Sequence, residues 1–179
     1  MPTAKKPTAK IASAPQGATS KNASVALQGK RAPAFELLDA QGKNVALKDL
    51  IGANSLVLYF YPKDMTPGCT LQACGFRDNL APLKKLGAKV VGISGDSTES
   101  HTRFIAKHQL NFPLLADPGN KVCKLYGVYK MKSLYGREFM GIERTTFVID
   151  KAGIVRRVFP KVKVNGHTEA IIDALKEIA

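Results

Sequence analysis

Residues 56–78 read LVLYFYPKDMTPGCTLQACGFRD, and this stretch decides the fold. Leu56, Val57, Leu58, Tyr59, Phe60 and Tyr61 form an unbroken apolar and aromatic run, which suits a strand covered on both faces. Pro62 ends it, because proline has no N–H to give to a ladder. After the loop Lys63-Asp64-Met65, Thr66 is a good N-cap and Pro67 fits the first helical position, so the spacing predicts a helix over 67–78. Cys69 then lies in the first turn and Cys74 five residues along. Unpaired N–H groups and the positive end of the helix dipole favour a thiolate there, and the thiolate is the nucleophile. The alternative for Cys69 is a small buried hydrophobe, which is what many free cysteines are. The polar, proline-bounded loop beside it argues for reactivity.

Outward from this stretch, the chain alternates strands and helices. Phe35 to Leu38 and Val45 to Leu47 flank a turn at 39–43, and Ala88 to Ser94 (AKVVGIS) reads as a second buried strand. Asp96 with Glu99 three residues later resembles a capping box ahead of a helix to His108. Phe112 to Ala116 is a short strand, Asp117-Pro118 a helix start, and Gly127 the end of that helix. TTFVID (145–150) and IVRRVF (154–159) are strands joined by a tight turn. His167 to Ile178 closes the chain as an amphipathic helix. This order predicts an α/β fold with a central mixed sheet flanked by helices, without singling out one such fold.

The chain has 179 residues, enough for one domain and some extra, with an ordinary 45% hydrophobic and 23% charged content. No apolar run approaches the roughly 18 residues of a membrane span. Met1 to Leu27 lacks the apolar segment of a secretory signal. Three cysteines are an odd number, which argues against a secreted disulfide framework and for a reducing compartment: the cytoplasm, or the nucleus in a eukaryotic source. The formal net charge is +13, and no acidic residue precedes Glu36. Residues 1–28 are rich in Lys, Ala, Ser, Thr and Pro and show no periodicity, so they are read as a disordered basic tail, with the domain over 29–179. The tail's lysines suit weak, non-specific contact with a polyanion; no aromatic is interleaved for base stacking.

Pro62, Thr66 and Cys69 spell P-x-x-x-T-x-x-C, which resembles the peroxiredoxin signature, and a second cysteine five residues later is similar to the bacterioferritin-comigratory, or peroxiredoxin Q, subfamily. The resemblance covers roughly Gly29 to Ala179. It implies a thioredoxin-like fold and reduction of hydrogen peroxide and organic hydroperoxides, without metal or other cofactor, in antioxidant defence. By that resemblance Cys69 is the peroxidatic thiol, passing through a sulfenic acid, and Cys74 is the resolving thiol that closes a Cys69–Cys74 disulfide within one chain. Thr66 and Pro62 shape the site. Arg144, just before the strand at 145, matches the family's arginine; a guanidinium there favours the thiolate and holds peroxide oxygens. An ion pair with Glu143 is the plain alternative for Arg144. Thioredoxin, or else glutaredoxin, is the implied reductant, and the expected state is a monomer.

Four residues stand aside from this chemistry. Cys123, in KVCKLYGV, reads as a packed thiol, with an alternate resolving or glutathionylation role as the other reading; Arg77, on the helix of Cys74, is a weaker candidate for the cation and reads rather as structural. His101 and His108 lack partners in register for a metal site. Two rival functions remain on the sequence. A thiol–disulfide oxidoreductase on the same fold usually has two residues between its cysteines, and here there are four. A DNA-binding protein with a secondary peroxidase site would show salt-dependent binding through the tail.

Overall fold

The computed structural model describes residues 22–179. Strands β1 (Glu36–Asp39) and β2 (Asn44–Ala46) form the opening hairpin, followed by a one-turn helix α1 (Leu47–Leu50). Strand β3 (Ser55–Phe60), helix α2 (Pro67–Asp78), helix α3 (Leu80–Lys85) and strand β4 (Ala88–Ser94) come next. Helix α4 (Thr98–His108), strand β5 (Leu114–Ala116) and helix α5 (Lys121–Leu125) follow. Strands β6 (Tyr129–Leu134), β7 (Arg137–Ile142), β8 (Thr145–Ile149) and β9 (Val155–Phe159) lead to helix α6 (His167–Ile178).

Seven strands make one mixed sheet in the order β2-β1-β5-β4-β3-β8-β9. The central β3 pairs parallel with β4 and antiparallel with β8. All six of its residues are buried, as the unbroken apolar run requires. Because side chains alternate across a strand, β3 feeds two separate cores. Leu56, Leu58 and Phe60 join Val122, Cys123, Tyr126 and Phe147 on one face. Val57 and Tyr59, with Tyr61 beyond the strand end, join Cys69, Phe76, Phe104 and Ile171 on the other, beneath α2, α4 and α6. The segment that carries Cys69 leaves β3 at its C-terminal end, where open α/β sheets form their clefts.

Several local expectations are corrected. Ser97, not Asp96, caps α4, its hydroxyl accepting from the Ser100 N–H at 3.2 Å. Asp96 instead accepts from the Asp64 N–H and the Ser94 hydroxyl. Helix α5 starts at Lys121 rather than at Asp117-Pro118, because Asn120 sits in the left-handed region first (φ 58°). The hairpin β6–β7 has no counterpart in the sequence reading. It turns through Tyr135 and Gly136, both at positive φ, the pairing that two-residue hairpin turns demand. Residues 22–28, read as part of the tail, pack on the domain. Ser24 is fully buried, and the Gly29 N–H that follows donates to Val155 O at 2.7 Å. The remainder of the expected tail, 1–21, lies outside the described residues.

Candidate active site

The site begins with the exit from β3. The Tyr61 N–H still reaches the Ile93 carbonyl at 3.1 Å, and Pro62 then ends the pairing, half-buried. Met65 takes a left-handed conformation (φ 64°), which reverses the chain into an extended Thr66 (ψ 151°) and the Pro67 start of α2. Thr66 occupies the N-cap position, but its side chain caps nothing. Its hydroxyl donates to the Lys63 carbonyl at 3.0 Å. That commits its only proton and leaves its lone pairs free to accept.

Cys69 is the third residue of α2 and only 1% exposed. Arg144, delivered from the turn into β8, donates through Nη2 to Cys69 Sγ at 3.2 Å and through Nη1 to Gln72 Oε1 at 2.6 Å. The alternative pairing with Glu143 is absent, because Glu143 binds Lys130 Nζ at 2.7 Å. Gln72, 2% exposed, thus aims the guanidinium, and its Nε2 has no partner among the described residues. Gly68 makes room for the cation: a Cβ there would stand 3.1 Å from Arg144 Nη2. The Tyr59 hydroxyl is likewise buried without a partner. Burial first, then the Cys69 charge, pushes its ionisation far up, so it stays a neutral donor.

The sequence reading missed Gln72 and Gly68. Cys69 and Gln72 stand at i and i+3 and therefore share a helix face, which was a legible signal. The signal from Gly68 needed the position of Arg144, 76 residues away, and was not legible.

Cys74 lies in the same intact helix, half-buried, and all three thiols are free. In an α-helix residues five apart are rotated by about 140° and their Cα atoms lie roughly 8–9 Å apart, beyond the ~7 Å a disulfide tolerates. Past Cys74 the helix is tied down. Arg77 Nη1 donates to His108 O at 2.6 Å, and Asn111 Nδ2 donates to Arg77 O at 3.2 Å. Arg77 is structural, as the sequence suggested. Cys123 lies across the sheet from Cys69, with burial and the carboxylate of Asp117 pushing its thiol up out of the thiolate range. Among the described residues no group of three or more His, Cys, Asp or Glu could hold a metal ion. No described helix is long and apolar enough to cross a membrane.

A first-turn cysteine under an arginine, at the mouth of a mixed sheet, defines a thiol-based redox enzyme. The chain belongs to the AhpC/TSA family, whose profile matches residues 28–158, and within it to the Bcp, or peroxiredoxin Q, group of thiol-dependent peroxidases. It is 48% identical over 151 residues to the peroxiredoxin Bcp of Escherichia coli K12, covering 84% of this chain and 96% of that one. Peroxiredoxin Q of Xanthomonas campestris superposes with a TM-score of 0.76 at 42% identity, covering 80% of this chain and 90% of that one. A bacterioferritin comigratory protein structure from the same organism, described for its alkyl peroxide reduction activity, gives 0.75 at 41%, with the same coverage. The fold is accordingly the thioredoxin-like fold of peroxiredoxins.

Proposed function

We propose that this peroxidase works through Cys69 as the peroxidatic thiol and Cys74 as the resolving thiol of the same chain. The observation that carries the assignment is the 3.2 Å contact between Arg144 Nη2 and Cys69 Sγ at the first turn of α2. A cation and oriented N–H groups both favour the thiolate. The thiolate attacks one oxygen of a hydroperoxide, the O–O bond breaks, and the other oxygen leaves as an alcohol or water after taking a proton. Arg144 and the uncommitted Gln72 Nε2 and Tyr59 hydroxyl supply donors for the charge that develops on these oxygens. Thr66, its own proton committed, accepts the peroxide O–H. Pro62 ends the strand and shields the sulfur from bulk water.

Cys69 is left as a sulfenic acid. Cys74 attacks it, an S–S bond forms and water leaves. The spacing in an intact helix forbids that bond, so α2 opens locally around 70–75 first. An external dithiol of the thioredoxin type returns two electrons and restores both thiols. The chemistry uses no cofactor. We place the cycle in a single chain, acting on hydrogen peroxide and organic hydroperoxides alike, in a reducing compartment such as the cytoplasm.

The test is peroxide consumption coupled to thioredoxin and its reductase. Wild-type protein turns over steadily. Cys74→Ser consumes one equivalent of peroxide and stops as a sulfenic acid that dimedone traps. Steady thioredoxin-driven turnover by Cys74→Ser would overturn the resolving role.

A further inference from the structure

Below the reactive loop lies a buried polar network that the chemistry above does not use. Asp64, 4% exposed, accepts from the Tyr61 hydroxyl on Oδ1 at 2.6 Å and from the Ser100 hydroxyl on Oδ2 at 2.8 Å. His101, fully buried on α4, places Nδ1 2.7 Å from the same Oδ2. Its Nε2 lies 3.0 Å from the Leu115 carbonyl of β5. A carbonyl only accepts, so Nε2 carries a hydrogen, and a second proton lies between Nδ1 and the carboxylate. The result is a buried histidine–carboxylate pair with both ring nitrogens engaged. Burial alone would push the Asp64 carboxyl up, but hydrogen bonds from His101 and Tyr61 outweigh it and hold the carboxyl below its usual range. The Asp64 backbone is held as well, its N–H donating to Asp96 Oδ2 at 2.8 Å.

A buried histidine–carboxylate pair is a poor source of stability, since an apolar pair of similar volume often does as well or better. Its distinctive product is a single geometry. Asp64 lies two residues before Thr66 and five before Cys69, joined to them through left-handed Met65. The network ties that backbone to three elements: the end of β3, the first turn of α4 and strand β5. Resting on the reading of Cys69 as the peroxidatic thiol, we propose that Asp64 and His101 are positioning residues for the first oxidation step. They fix loop 62–66, so that α2 starts where Cys69 meets Arg144.

The test measures the second-order rate constant for oxidation of Cys69 by hydrogen peroxide, well below each variant's Tm, with Tm recorded alongside. Asp64→Ala and His101→Leu slow this step by about 10–100-fold, the scale on which a misplacement of about 1 Å acts. Each single change strands buried polar partners, His101 with the Tyr61 and Ser100 hydroxyls in one case and Asp64 with the Leu115 carbonyl in the other, and costs stability, so the double variant Asp64→Ala/His101→Leu is made too. It leaves no orphaned charge, regains Tm, and stays slow. Asp64→Asn recovers most of the rate. Its carboxamide oxygen still accepts from Tyr61, while its NH2 donates to Ser100 Oγ and to Nδ1 of a neutral His101. A stability role alone would make rate follow Tm across this series. A folded double variant within twofold of the wild-type rate overturns the proposal, and so does Asp64→Asn as slow as Asp64→Ala. Cys69→Ser runs in parallel: peroxide consumption surviving in that variant would instead overturn the assignment of the peroxidatic thiol.

Discussion

Cys69 and Cys123 are nearly identical by the usual descriptors of a thiol. Both are sealed from solvent, at 1% and 0% exposure, and each is the third residue of its helix. They differ in the charge brought to them from elsewhere in the chain. Cys69 receives the guanidinium of Arg144. Cys123 shares its surroundings with the carboxylate of Asp117, which accepts from its own N–H at 2.8 Å. On the proposed assignment of Cys69 as the reactive thiol, helix position and burial are insufficient, and the sign of the third group distinguishes the two. The sheet keeps the two environments apart, since Cys123 belongs to the core on one face and Cys69 to the core on the other.

The sharpest way to break this comparison is to remove each sulfur in turn. Cys69→Ser should abolish peroxide turnover, while Cys123→Ser keeps it within about twofold in the coupled assay. Removing the cation comes next. Arg144→Ala should slow Cys69 oxidation by about 10²–10³-fold, the usual loss for one preorganised donor. Arg144→Lys should fall between, since it keeps the charge but loses the planar fork that bridges Cys69 and Gln72. Stopped-flow oxidation kinetics would rank the three proteins, and a wild-type rate in Arg144→Ala would remove the arginine from the site.

The field on the Cys69 face also has a signature in acid. Burial first, then Arg144, lowers the pKa of His167 from 6.5 to about 4, leaving it neutral beside Thr146 Oγ1 at 2.9 Å. The unfolded chain takes up this proton before the native one does, so stability rises with pH across that window. It is fully present above about pH 6.5, and up to about 3 kcal/mol is lost as pH falls toward 4. Urea unfolding at pH 7 and pH 4 should show this loss and show it much reduced in His167→Gln. Arg144→Ala should soften it only slightly, because burial is the larger cause. The smallest expected effect is that of Gly68→Ala. Its methyl would stand 3.1 Å from Arg144 Nη2 and push the guanidinium by a few tenths of an ångström, slowing oxidation several-fold with little change in Tm.

Much of this was legible in the sequence where local rules act alone. Helix α2 and strand β4 have the bounds that capping and apolar runs assign them. Asp96 and Asp117 were misread because a carboxylate ahead of a helix resembles a cap. In the fold, one holds the Asp64 N–H and the other the Cys123 N–H. The β6–β7 hairpin escaped because most of its residues are at least partly exposed and print no alternation. Arg144 was legible only through resemblance to relatives, since no local pattern can announce a partner 75 residues away.

The anchored end of α2 bears on competition for the oxidised site. Arg77 is held by the His108 carbonyl and by Asn111, and Cys69 is held by Arg144. In the proposed cycle, Cys74 remains tethered from both sides when the turn between them opens, five residues from the sulfenic acid. A tether this short corresponds to an effective concentration of about millimolar or above. If Cys74 resolves as proposed, small-molecule thiols should need to reach that level before a mixed disulfide with Cys69 outcompetes Cys74. Titrating glutathione against wild type and Cys74→Ser would read this threshold directly.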